Sequence, residues 1–166
     1  IYNRKKLTMC LAKSGRKILM MLDIDNFDNI NVTYGYNSGD IILKKIAKFL
    51  KENLHPDAML FRLGHDEFAF LFTSSTIEEV EIYAKEIQKL ILHQPVEYDE
   101  MLVRFTATIV LAEGDSDLLK DVHMGFNRTR KIGKNRIGIY KPDIELERHQ
   151  KHIQKCIYTL SDAIKK

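Results

Sequence analysis

The chain has 166 residues, 45% of them apolar, and a formal net charge of +3 at pH 7. That length suits one domain with its own core, and the mild charge admits anionic ligands such as nucleotides while lacking the strong basic footprint of a dedicated nucleic-acid binder. The apolar runs are strand-sized, so no segment is expected to insert into a bilayer; none reads as a secretory signal. The two cysteines, Cys10 and Cys156, lie far apart and give no disulfide framework, which suits a reducing, cytoplasmic setting. The sequence opens on Ile1 and is expected to be a piece of a longer protein.

Lys17 to Ile24 reads KILMMLDI, a nearly continuous apolar run ending in acid, as a strand buried on both faces would. Met20 and Met21 within it, and Met9 before it, read as core filler. Asn26 to Tyr34 fits a short helix before Gly35. Asn37 and Ser38 are N-cap types, and Ile42, Ile46, Phe49 and Leu50 follow at helical spacing until Asn53, ahead of Pro56. Ala58 to Leu63 and Glu67 to Thr73 are strand-like runs around Gly64-His65-Asp66, the pattern of a hairpin in which Gly64 supplies φ > 0. Ser75 with Glu78 has capping-box spacing, and Ile77, Val80, Ala84, Ile87 and Ile91 share a helical face that ends at Pro95. Met101 to Ala112 alternates through Val103, Phe105, Ala107, Ile109 and Leu111, which predicts one strand with one buried face. Ser116 is expected to cap a helix carrying Leu118, Leu119, Val122 and Phe126; Gly133 breaks it, and Arg136 to Tyr140 is a last strand. Pro142 and Asp143 open a polar helix with an apolar stripe of Ile153, Ile157, Leu160 and Ile164. This order predicts an α/β sandwich: a central mixed, largely antiparallel five-stranded sheet flanked by helices. Residues 1–141 form the domain, and 142–166 a C-terminal connector helix.

Two acidic clusters fall at turns beside strands, Asp23-Ile24-Asp25 and Asp66-Glu67. Brought together, these carboxylates would repel, and a hard divalent cation resolves that repulsion; Mg²⁺ takes one or two carboxylates and completes its shell with waters and phosphate oxygens. Gly35 and Gly39 bracket Tyr36-Asn37-Ser38 ahead of a helix N-terminus, where backbone amides can meet an anion. Arg128, Arg130, Lys131, Lys134 and Arg136 form a basic run that, taken alone, is a solvated face. His149 and His152 sit three apart with no third ligand in view, so metal is not expected there.

The string Asp23-Ile24-Asp25-Asn26-Phe27, then Asn31, Gly35, Gly39-Asp40 and Arg62-Leu63-Gly64-His65-Asp66-Glu67-Phe68 resembles the GGDEF family of diguanylate cyclases over about Ile1 to Lys141, and Ile1-Tyr2-Asn3-Arg4 resembles the stretch where such domains begin. The resemblance implies a fold like the palm of adenylyl cyclases and polymerases, and condensation of two GTP to cyclic di-GMP across a homodimer, with Mg²⁺ or Mn²⁺. It implies Asp23 and Asp66 as metal ligands with the Ile24 carbonyl, Asn31 and Asp40 on the guanine edge, and Phe27, Gly64 and His65 beside the nucleotide. Glu67 would assist deprotonation of the 3′-hydroxyl together with Asp66, and Arg130 and Lys134 would meet the triphosphate. The departures are as specific. His65 stands at the family's second signature glycine, Asp28 at its phosphate-side lysine, Val32 at an aspartate and Tyr36 at a histidine, and the inhibitory RxxD pair would fall on His55 and Ala58. His65 is expected to lose the glycine's access to φ > 0 at the hairpin tip. Three roles follow: a weak cyclase; a catalytically inactive GTP-binding module that regulates an adjacent EAL-type domain, for which the C-terminal helix would be the junction; or a structural, dimerising module.

Overall fold

The computed structural model describes residues 1–142 and 144–164, with only the helical backbone given for 144–151. At its centre lies β2 (Lys17–Ile24), in which every residue but Asp23 is buried. It is flanked on both sides by antiparallel partners, β4 (Glu67–Phe72) and β7 (Ala107–Gly114). β3 (Ala58–Arg62) pairs with β4 as the expected hairpin, and β8 (Ile137–Tyr140) lies parallel to β7. The sheet is thus mixed and largely antiparallel, as the sequence predicts, in the order β1-β3-β4-β2-β7-β8. It has six strands among the described residues, not five: β1 (Tyr2–Asn3) adds a parallel edge on β3, and two residues are too few to leave an alternating pattern.

The alternation along β2 sends its side chains into two cores. Ile18, Met20, Leu22 and Ile24 pack with α2 (Phe27–Tyr34), α3 (Tyr36–Glu52) and α4 (Ile77–His93) through Phe27, Ile42, Ile46, Ala84 and Ile87. Leu19 and Met21 pack on the other face with Leu7 of α1 (Arg4–Leu11) and with Val122 and Phe126 of α5 (Leu118–Ile132). α1 is absent from the sequence reading because only Leu7 and Cys10 of its eight residues are buried, which draws no stripe; Asn3 caps it by accepting from the Lys6 amide at 3.0 Å.

Several local expectations are corrected. The run from Met101 divides into β6 (Met101–Val103), paired with β5 (Val96–Tyr98) in a separate hairpin, and β7. β2 ends at Ile24, opposite Ala107, so residues before Ala107 have no strand to pair with; the Thr106 carbonyl instead accepts the Asp25 amide at 2.9 Å. The capping box before α4 is Thr76 with Glu79, one residue later than the Ser75–Glu78 pair. Ser75 is drawn off by Asp57, whose carboxylate takes both its amide and its hydroxyl at 2.9 Å. α3 starts at Tyr36, so Asn37 and Ser38 lie inside its first turn, and Gly35 at the cap has φ +86°. α5 follows Asp117 and not Ser116. Met9 is exposed, whereas Met20 and Met21 are buried. α6 (Ile144–Ile164) leaves Ile153, Ile157, Leu160 and Ile164 exposed; Asp143 and the side chain of His149 lie outside the described residues. No described helix is long and apolar enough to cross a membrane.

Candidate nucleotide and metal site

The register of the sheet brings the two acidic clusters together. Asp23 of β2 pairs with Glu67 of β4, and the next amide, of Ile24, donates to the Asp66 carbonyl at 3.2 Å. Asp23, Ile24 and Asp66 line one cavity of ≈ 380 Å³, with Asp28 and Asn29 of α2 on one side and, on another, Arg130 of α5 and Lys134 of the turn that follows it. Burial raises the Asp23 carboxyl from its ordinary 3.8 to about 6; Arg130 opposes this, and the carboxylates of Asp66, Glu67 and Asp25 add to it. Asp66 is raised as well, chiefly by burial; the bond to its own backbone opposes the shift, Glu67 and Asp28 add to it, and His65 lowers it. Carboxylates held together against their own charge in this way are the donor set a hard cation stabilises.

Of the basic run, Arg130 and Lys134 alone line this cavity. Arg130 donates to the Asp23 carboxylate, its guanidinium 5.0 Å above the Phe126 ring, and Lys134 donates to the Asn26 side-chain carbonyl. Arg128 lies over Tyr140 instead. Asp25 is a scaffold. Its carboxylate accepts from the hydroxyls of Thr106 at 2.6 Å and Thr108 at 2.7 Å and from the Asn135 amide at 2.8 Å, which ties β2 to β7 and to the turn ahead of β8. The sequence reading missed this clamp. Its one signal was a pair of threonines two apart within the run expected as a strand, a spacing that puts both hydroxyls on one side.

A second cavity of ≈ 500 Å³ adjoins the first and shares Phe27, Asp28 and Asp66 with it. Its floor is Phe27 and Leu43, its polar wall Asn31 and Asp40, and its rim Tyr36 and His65. Gly39 makes the wall possible: a Cβ there would stand 1.9 Å from the Asn31 side-chain oxygen, so only glycine lets that amide lie against α3. Asn31, Asp40, Phe27 and His65 thus line one cavity.

Gly64 and Glu67 line neither cavity. Gly64 does not take φ > 0, and neither does His65, so the histidine sits at the hairpin tip without the backbone strain expected of it. The tip is held from outside: Arg4 donates to the Leu63 carbonyl at 3.3 Å and lies 3.8 Å from the Glu67 carboxylate, and the Arg62 guanidinium reaches the Gly64 and His65 carbonyls at 3.4 Å. Among the described residues, no three His, Cys, Asp or Glu side chains converge on a metal position by themselves.

Comparison with known proteins agrees with this geometry. The family model "Diguanylate cyclase, GGDEF domain" matches residues 2–136. Diguanylate cyclase A of Treponema denticola is 26% identical over 132 residues, which cover 76% of this chain and 36% of that protein. The probable diguanylate cyclase DgcI of Escherichia coli is 43% identical over 70 residues, 42% of this chain and 16% of that protein. The chain thus spans about a third or less of these curated relatives. Among solved structures, the GGDEF domain of YfiN (TpbB) from Pseudomonas aeruginosa superposes with a TM-score of 0.78 at 23% identity, over 85% of this chain and 97% of that one. The FimX GGDEF domain from the same organism gives 0.75 at 18% identity, over 82% and 93%. With the family model matched over residues 2–136, this chain belongs to the GGDEF domain family of diguanylate cyclases.

Proposed function

We propose that the two joined cavities hold one GTP with Mg²⁺ (or Mn²⁺), and that the domain serves cyclic di-GMP synthesis as a weak cyclase. The observation that carries this reading is the shared wall: Phe27, Asp28 and Asp66 belong to both cavities, so a ligand with its base beside Asn31 and Asp40 extends its phosphates toward Asp23, Arg130 and Lys134. Guanine presents N1–H and N2–H donors beside an O6 acceptor. The Asp40 carboxylate accepts from the donors, and the Asn31 amide complements either kind. Adenine presents an acceptor where guanine has N1–H, which would leave a carboxylate facing a lone pair. Asp23 and Asp66, with the Ile24 carbonyl, suit a cation that draws its remaining ligands from phosphate oxygens and water. A metal bound there would activate the attacking 3′-hydroxyl and neutralise the leaving pyrophosphate.

Condensation joins the 3′-oxygen of one GTP to the α-phosphorus of another and releases pyrophosphate, and two such steps close cyclic di-GMP. Each needs a second nucleotide, so two copies of the domain must face each other. Glu67, outside the cavities and paired with Arg4, is proposed to act on the nucleotide that the facing copy holds. Asp28 on the cavity wall and the engagement of Arg130 by Asp23 both weaken the hold on phosphate, which favours slow turnover. The same two observations favour a second reading, a GTP-binding module without turnover that regulates a following EAL-type domain through α6. Either role belongs in the cytoplasm, where GTP is. The test is incubation with GTP and Mg²⁺, chromatography for cyclic di-GMP and a parallel measurement of GTP affinity. Product supports the cyclase, binding without product supports the regulatory module, and absence of both contradicts a nucleotide site.

A further inference from the structure

The two cavities treat their occupant differently. The one around Asn31 and Asp40 is built for a flat ring. Its floor, Phe27 and Leu43, is apolar and buried, and two aromatic rings stand at its rim: Tyr36 from the first turn of α3 and His65 from the hairpin tip. Tyr36 is 83% exposed, a large ring left in solvent beside a cavity. The neighbouring cavity is lined by four carboxylates, Asp23, Asp25, Asp28 and Asp66, against two cations, and both cations are already engaged, Arg130 by Asp23 and Lys134 by Asn26. Asp28 forms part of both walls, so a phosphate chain that leaves the base cavity passes a carboxylate first. Like charges at this separation repel, and a nucleotide phosphate gains there only when a cation accompanies it.

We infer that this domain takes its guanine nucleotide by the base and not by the triphosphate: Tyr36 and His65 clamp the ring, and GMP and GDP are ligands of the same rank as GTP. This deepens the preceding reading and rests on it. Stacking of a base on one aromatic side chain contributes roughly tenfold in affinity, and two rings at one rim make the base the main contributor. Polyphosphate adds affinity in Mg²⁺ and subtracts it without.

The experiment measures affinities of the full chain for guanosine, GMP, GDP and GTP by calorimetry, with Mg²⁺ and with chelator, and repeats the guanosine, GMP and GTP titrations on Tyr36→Ala, His65→Gly and Asp28→Lys. In Mg²⁺ the guanine nucleotides bind within about tenfold of one another; in chelator GTP falls below GMP. Tyr36→Ala and His65→Gly each weaken GMP and GTP by the same factor, about tenfold. Asp28→Lys strengthens GTP and leaves guanosine unchanged. GTP binding a hundredfold or more tighter than GMP, or ring variants that leave GMP affinity intact, overturns the inference while the guanine-nucleotide reading stands. A chain that binds no guanine ligand overturns both.

Discussion

Replacing Gly39 by alanine separates recognition from stability. The new Cβ would lie 1.9 Å from the Asn31 side-chain oxygen, 3.0 Å from its Cγ and 3.4 Å from Phe27 Cζ. The first contact is with the far end of a short side chain, so the amide rotates away and the backbone stays in place. Phe27, at ordinary packing distance, yields little. Gly39 lies in the first turn of α3, not in the left-handed region, and alanine is the better helix former by up to ~1 kcal/mol. Overall stability should therefore stay within about 1 kcal/mol of wild type by urea unfolding. Ligand affinity should not. One lost hydrogen bond to the base edge costs ~1–1.5 kcal/mol, and a polar group left unpaired raises that, so GTP and GMP both weaken by about tenfold. Calorimetric titration beside urea melts reads the two effects separately. Wild-type affinity in Gly39→Ala would refute the role given to Asn31, and a stability loss of several kcal/mol would show that its amide cannot yield.

Three further predictions concern the acidic end. Asp23 titrates near 6 when folded against 3.8 ordinarily, so between those values the folded state holds a proton that the unfolded state has lost; stability falls as pH rises through this window and the full penalty, on the order of 2–3 kcal/mol, is present above it. Asp23→Asn should accordingly melt higher than wild type at pH 7.5, lose that gain below about pH 4, and abolish the Mg²⁺ dependence of GTP binding; equal melting at both pH values contradicts the burial argument. Asp25→Ala leaves the Thr108 hydroxyl, 1% exposed, without its acceptor and frees the Asn135 turn, and should cost ~3 kcal/mol in chemical denaturation; a neutral result would show that the clamp is incidental. Asp28→Lys combined with His65→Gly should raise cyclic di-GMP formation over wild type at equal protein concentration and saturating GTP, since it restores a phosphate-side cation and opens the cavity rim, and unchanged or lower product there contradicts the charge account.

The central strand, the signature hairpin and the amphipathic helices were legible because burial on both faces of β2 and a single apolar face on α3 and α4 leave strong periodic patterns. The meeting of Asp23 with Asp66 followed from family resemblance; the sheet register then supplied its cause in the Asp23↔Glu67 pairing. Short elements with few buried residues left no pattern. β1 is two residues of edge pairing, α1 buries only Leu7 and Cys10, and β6 turns away from β7 because β2 ends opposite Ala107. The conformation of the hairpin tip was misjudged because a glycine-histidine pair signals φ > 0 by composition, whereas here Arg4 and Arg62 hold the tip carbonyls and no left-handed residue is needed. The second role of the acidic cluster, Asp25 as a clamp, depends on threonines more than eighty residues away.

Co-crystallisation with GTP and Mg²⁺ tests the joined-cavity account most directly, because it locates base and metal at once. The account predicts the guanine edge against Asn31 and Asp40, between Tyr36 and His65, and a cation about 2.1 Å from carboxylate oxygens of Asp23 and Asp66 and from the Ile24 carbonyl, with Arg130 released from Asp23 toward phosphate. A nucleotide bound elsewhere, or one seated in these cavities with Asp23 still held by Arg130 and no cation between the two aspartates, would contradict it.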